Sequence, residues 1–589
     1  MQDSTTYYQQ RLQTYKVEVS KLHKQLTVLS TVRLLVFIAI AVGIYFTYNH
    51  WQLAVGLGLV GVSIFLYLLS KHTALKSQHN LKKALVEINE EELKIGSGNF
   101  FHKNEGLEFQ DSQHNYALDI DLFGRGSFFQ FIDRTATKIG ALALSKALKA
   151  NDITSINKRQ EAIQELSTKP EWRQQFQATA NLIKVETKPG DIVKWLHRHN
   201  SFLSKKLKRL PLVFTIASAL LLLLGITKVI SIAFFGYWLL VGLAITGKYL
   251  KKINDLASKT DKIRDTFRQY AQLLNAIENE TFISELLIEK QKAIRLKGKK
   301  ASTILRDLSK AMDALDNRNN LISAIFGNGY FLTDIKNSFS IEQWIETYHL
   351  KVEDWFEVVT FFDAYNSFGN YTFNHKHYVF PKILEAGKHT KITKLGHPLL
   401  NSEKRIDNNF KIENEQFFII TGANMAGKST FLRTVALHIV MANIGLPVCA
   451  KSSEYVPVKL ITSMRTSDSL TDDSSYFFSE LTRLKHIVDA IKTDSYFIIL
   501  DEILKGTNST DKAIGSRKFV EKLVASNATG IIATHDLSLC EIEKELTDVK
   551  NYYFDAQIIN NELYFDYTFK KGICQNMNAS FLLKKMKII

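Results

Sequence analysis

The sequence predicts a multi-domain protein: a mostly α-helical core carrying four transmembrane helices, followed by a C-terminal α/β domain. Three observations predict this. Four long apolar runs, grouped as two pairs, lie within the first 250 residues. Only 7 prolines interrupt the chain, as extended helical structure requires. Past residue 415, short β-rich apolar runs alternate with glycine turns and a helical stretch. At 589 residues the chain is too long for one ordinary core. Its 46% apolar and 23% charged residues exclude a disordered chain.

Six segments follow from the pattern. Residues 1–30 read as an N-terminal cytosolic helix, and 31–72 as a first transmembrane hairpin. Residues 73–205 form the first part of a helical core, 206–250 a second transmembrane hairpin, 251–380 the second part of the core, and 381–589 the α/β domain. In the first hairpin, Val32–Tyr48 and Gln52–Ser70 are apolar runs of about 17–19 residues, near the length that crosses roughly 30 Å of hydrocarbon. Tyr48 and Trp51 flank the short connection, where interfacial aromatics belong. The second hairpin pairs Leu210–Thr227 with Val229–Lys248, and Lys228 in its turn can reach an interface by its long stem.

Charge orients both hairpins. Lys16, Lys21, Lys24 and Arg33 precede the first, and Lys71, Lys76, Lys82 and Lys83 follow it. Lys205, Lys206, Lys208 and Arg209 precede the second, and Lys248, Lys251 and Lys252 follow it. The connecting turns carry almost none. The positive-inside rule then predicts a multi-pass protein of the cell's inner (cytoplasmic) membrane, with both termini and the α/β domain in the cytosol. The net charge of +16 points to an anionic partner, either nucleic acid or lipid headgroups. Cys449, Cys540 and Cys574 lie far apart without metal-ligand spacing, which fits a reducing compartment. The N-terminus lacks the order of a signal peptide.

The chemistry concentrates after residue 415. Gln416–Ile420 reads as a buried strand leading into Gly422-Ala423-Asn424-Met425-Ala426-Gly427-Lys428-Ser429-Thr430, which opens a helix over Ser429–Ala442. This strand–GxxxxGK[ST]–helix order makes an anion cradle from successive backbone N–H groups and a helix N-terminus. Lys428 is expected to reach the β- and γ-phosphates of ATP, and Ser429 to place its hydroxyl on Mg²⁺. A second apolar run, Ser495–Leu500, ends in Asp501-Glu502: one carboxylate to help hold Mg²⁺, the next to orient the attacking water. A third, Gly530–Thr534, leads to His535, placed to sense the γ-phosphate. Lys428, Asp501, Glu502 and His535 are therefore the expected catalytic set.

These residues resemble the MutS family of DNA mismatch-repair ATPases. Asn424-Met425 makes the loop far more specific than a generic phosphate loop, and Asp501–Thr510 resembles the family's second carboxylate motif and the loop after it. Gly396–Leu400, Ser475–Arg483 and Gly572–Ala579 resemble segments of the same ATPase domain. Ser127–Gly140, Asn157–Ala162 and Phe362–Ser367 resemble the family's helical core. The resemblance implies an ABC-type P-loop ATPase domain in a homodimer, with Ser475 contacting nucleotide across the dimer. It also implies a DNA-binding role.

Departures from the family pattern change the functional expectation. No segment matches the amino-terminal mismatch-reading domain, since Phe478-Ser-Glu480 matches its Phe-x-Glu only as a string. Ala423 replaces the family's usual proline, and Leu504-Lys505 alters the loop after Glu502. Two readings remain: a membrane-anchored MutS-like ATPase that binds DNA or another nucleic acid without established mismatch specificity, and an ATP-driven membrane motor or scaffold acting on a protein or envelope partner. A transporter ranks below both, because the spans contain no Asp or Glu.

Overall fold

The computed structural model describes residues 3–183, 187–296, 298–385, 389–465, 476–559, 562–575 and 588. It divides into two compact units: Met1–Leu93, Glu171–Ile283 and Leu287–Asp363 in the first, and Lys94–Pro170, Ser284–Leu286 and Ala364–Ile589 in the second.

The first unit is helical. Helices α1 (Ser4–Thr47) and α2 (Trp51–Gly96) form a long antiparallel hairpin. No proline or glycine interrupts residues 4–42 or 62–95, so nothing ends either helix where its apolar run ends. The expected boundaries at residues 30 and 72 accordingly fall inside continuous helices. Outside the apolar stretch the pair is held by Lys16–Glu90 and Lys82–Glu18 ion pairs, both 2.7 Å, and by Tyr15 packed with Leu85, Ile88 and Ala178. Within it Leu34, Phe37, Leu53 and Leu59 face outward.

Further along lie α3 (Pro189–Arg198), α4 (Leu210–Ile226), α5 (Ala233–Gly247), α6 (Leu250–Asn279), α7 (Ala301–Asp316), α8 (Leu321–Phe331) and α9 (Thr333–Tyr348). Among the described residues, three helices are long and apolar enough to cross a membrane: α1, α2, and α4 together with the turn from Lys205. Helix α5 has only 15 residues, because the turn through Lys228 and Val229–Ile232 takes up part of the expected Val229–Lys248 span. It becomes a fourth span when joined to α6, from which it is bent by 67°. The 11-residue apolar helix α8 packs against α4 and α5, a contact the sequence reading did not foresee. There the Ser218 hydroxyl donates to the Tyr330 carbonyl at 2.8 Å, and Phe235 stacks on Tyr330 at 4.1 Å.

The second unit is built on a six-stranded sheet. Its strands are β1 (Phe417–Gly422), β2 (Lys459–Ser463), β3 (Tyr496–Asp501), β4 (Thr529–Ala533), β5 (Val549–Phe554) and β6 (Lys570–Lys571), in the spatial order β6-β5-β1-β4-β3-β2. All neighbours are parallel except the β5–β6 edge pair. Side chains alternate between two cores, as a sheet covered on both faces requires. Phe418, Ile420, Phe497, Ile499 and Ile531 face α10 (Lys428–Ile444) and the segment carrying Phe128, Phe129 and Leu144. Phe417, Ile419, Ile498, Leu500 and Ile532 face α11 (Tyr476–Ala490) and α12 (Ser509–Ala525). Residues 94–170 cover the β2 edge: Asn115 accepts from the Thr462 N–H at 2.8 Å, and Asp119 accepts from the Met464 and Arg465 N–H groups.

Candidate functional site

The turn between β1 and α10 is shaped by its backbone. Gly427 has φ of 101°, and a Cβ there would sit 3.0 Å from the Tyr567 ring, so only glycine fits without strain. It also caps α10 without a side-chain hydrogen bond, leaving the helix's first N–H groups directed at the space above the turn. Ala423 and Ala426 are buried, whereas Asn424, Met425 and Thr430 are exposed and Ser429 is half-buried.

Lys428 is buried at 6% exposure, yet its ammonium is well partnered. It donates to the Gly422 carbonyl at 2.7 Å and the Ala423 carbonyl at 3.1 Å, and lies 3.3 Å from His535 Nε2. Burial pushes its pKa down, and the charges of Glu502 and Asp501 push it back up.

Glu502 follows β3 in the left-handed region, with φ of 52°. Its N–H donates to the Ala533 carbonyl at 2.9 Å, which fixes this unusual conformation. One carboxylate oxygen lies 2.9 Å from His535 Nε2 and the other 3.8 Å from Lys505 Nζ. The hydrogen bond from His535, aided by the Lys505 charge and opposed by burial, holds the Glu502 carboxyl at about 2. His535 itself leaves β4 beside Thr534, whose N–H is bound to the Ile420 carbonyl at 2.9 Å.

These groups meet at a cleft of about 470 Å³ lined by Ala423–Thr430, Glu502 and His535. Gly422 and Asp501 end β1 and β3 and do not line it, although the Asp501 charge acts on Lys428. Ser475 lies outside the described residues. Sequence reasoning missed the opposite wall, which includes His397, Arg405, Ile406 and Tyr567. Burial, with Arg433 and Arg405 nearby, lowers His397 to about 4, so its ring is neutral at physiological pH. The Gly396-His397-Pro398 string marked the segment, but nothing local in it shows that the chain folds back over the turn.

A second missed residue is Glu480, buried on α11 at 3% exposure. Its carboxylate accepts from the Leu504 N–H at 2.6 Å and the Lys505 N–H at 3.1 Å, which positions the loop immediately after Glu502. The Phe-x-Glu string on this helix thus serves the cleft of its own unit.

A family model described as MutS domain V matches residues 418–586, the stretch that supplies the turn, Glu502 and His535. This stretch of the chain is similar to the MutS family. Its relatives include the human MutS protein homolog 4, 35% identical over 194 residues that cover 31% of this chain and 20% of the relative. The DNA mismatch repair protein MutS of Aquifex pyrophilus is 32% identical over 32% of this chain and 22% of its own length. The Arabidopsis thaliana DNA mismatch repair protein MSH4 is 28% identical over 207 residues, or 35% and 25% of the two chains. The matched stretch is thus about a fifth to a quarter of each relative. The matched stretch supplies the turn side of the cleft and Tyr567, whereas the wall of His397, Arg405 and Ile406 precedes it.

Proposed function

We propose that the protein is a membrane-anchored MutS-type ATPase whose nucleotide lies in the 470 Å³ cleft. The observation that carries this is the convergence of Lys428, Glu502 and His535, from three separate strand ends, on one backbone turn. The phosphates of ATP would lie against the N–H groups of Ala423–Thr430, with the base toward His397 and Tyr567. A cleft of this size suits such a ligand. Glu502, a carboxylate at neutral pH, orients the attacking water, and His535 reports the γ-phosphate. Ser429 and Asp501 would hold Mg²⁺, which supplies charge neutralisation between the phosphates. Among the described residues no cluster of three or more His, Cys, Asp or Glu is placed to hold a metal, which suits an ion that keeps phosphate and water ligands.

The finer features of this reading are a homodimer in which Ser475 completes the partner's site, a multi-pass location in the cytoplasmic membrane with the ATPase in the cytosol, and DNA as the polymer acted upon. The last comes from relatives named as DNA mismatch repair proteins. A second reading, an ATP-driven motor or scaffold acting on a membrane or envelope partner, is favoured by one observation: the candidate spans of α1 and α2 are continuous with the helices of the first unit. In both, Glu502→Gln should retain ATP binding while turnover falls by about 100-fold or more. Unimpaired hydrolysis by this variant in a purified, full-length preparation removes Glu502 from the chemistry.

A further inference from the structure

A groove of about 1080 Å³ in the first unit lies between α3 and the start of α6, the two elements that flank the second hairpin. Five cations line it, Lys194, Arg198, Lys251, Lys252 and Lys259, against two carboxylates, Asp191 and Asp255. Asp255 is taken by Lys259 at 2.9 Å. Lys194, Arg198 and Lys251 have no ion pair among the described residues. Two aromatic rings, Trp195 and Phe202, share the groove, with the Lys252 ammonium 5.9 Å from the Phe202 ring centre. An excess of positive charge, set beside aromatic surface, is what a phosphate on an amphiphile needs.

The position of the groove names the ligand. Arg198 lies shortly before the Lys205–Arg209 turn that leads into α4, and Lys251 lies four residues beyond the end of α5. The 67° bend between α5 and α6 then decides the depth. With α5 along the bilayer normal, the eight residues from Lys251 to Lys259 advance about 12 Å along α6 but only about 5 Å in depth. That is about the thickness of one headgroup layer. A straight continuation would have carried Lys259 out of that layer. With that orientation the bend keeps Lys251, Lys252 and Lys259 at the level where lipid phosphates lie.

We propose that this groove binds the phosphate headgroup of an anionic phospholipid at the cytosolic surface. The proposal rests on the membrane reading above and adds to it a defined site. Each lysine or arginine near an anionic surface adds to the attraction, and three unpaired ones act together.

The test uses full-length protein extracted in detergent, with native mass spectrometry of bound lipid. Phosphatidylglycerol should be retained and phosphatidylcholine not. Lys194→Ala/Arg198→Ala/Lys251→Ala should lower phosphatidylglycerol retention by about tenfold or more, while ATP hydrolysis without added lipid stays unchanged. Glycerol 3-phosphate competing as well as the lipid would show that a free phosphate compound occupies the groove and would overturn the lipid assignment. Displacement of lipid by a DNA oligonucleotide only in the protein with the groove intact would reassign it to nucleic acid. Equal retention of the two lipids, or an unchanged triple variant, would overturn the proposal and leave the membrane reading standing. Recovery of the chain in the soluble fraction would sink both.

Discussion

His535 offers one nitrogen to two partners, Glu502 at 2.9 Å and Lys428 at 3.3 Å. A neutral imidazole can donate or accept there, but not both, so the tautomer chooses which partner is engaged. Donation to Glu502 accounts for the low carboxyl pKa, and it ties the proposed water-orienting group to the proposed phosphate sensor. The same pair has a pH signature. The folded pKa of Glu502 is about 2, below its ordinary 4.5, so ionisation favours the fold. That contribution is complete above the ordinary value and is lost as pH falls toward the folded one. The stability difference between wild type and Glu502→Gln should therefore narrow from about pH 5 to about pH 2, by on the order of 1 kcal/mol for a pair this exposed. Melts in detergent at a series of pH values measure it. A difference that stays constant would mean that the hydrogen bond does not shift Glu502.

Among elements, the strands and helix around the phosphate turn were the most legible. The run Gln416–Ile420 corresponds to β1 at Phe417–Gly422, and Ser429–Ala442 to α10 at Lys428–Ile444. Ser495–Leu500 and Gly530–Thr534 correspond to β3 and β4 within one residue. Apolar residues mark the buried middle of a strand, whereas pairing with neighbours sets its ends. The helices of the first unit were less legible for two physical reasons. Hydropathy changes at residues 30 and 72, but helix-forming residues continue through both points, so polarity and helix boundaries part company. Helix α8 is too short to register as a span, and its role depends on Gly329 meeting Gly242 of α5, a distant pairing that no local pattern contains. A Cβ on Gly242 would press on the carbonyl oxygens of Asn328 and Gly329. Gly242→Val should thus cost about 1–3 kcal/mol and lower the melting temperature in detergent, with ATP hydrolysis retained at low temperature. An unchanged melt would show that α8 does not pack there.

For the whole molecule, the question is what the proposed ATP turnover would act on. Helices α1 and α2 carry 44 and 46 residues, about 66–69 Å each. Their apolar runs account for less than half of that length, so more than half of each helix extends outside the candidate membrane segment. A continuous helix transmits displacement along its axis better than a jointed one, which gives the motor reading a physical route. The DNA reading leans on charge, +16 overall, but many of those lysines flank the candidate spans, where the membrane reading gives them an orienting role. Salt separates the two. Binding through about six neutralised phosphates should weaken by about 10³-fold between 50 and 200 mM salt, with a slope near −0.9 per phosphate. Titrating the full-length protein in detergent with homoduplex and mismatched DNA across that range reads both slope and preference. We expect a salt-sensitive component with no preference between the duplexes. Absence of that component favours the membrane partner, because duplex DNA cannot be held through its phosphates without releasing counterions. A preference for the mismatch would mean that the chain itself reads base-pair geometry.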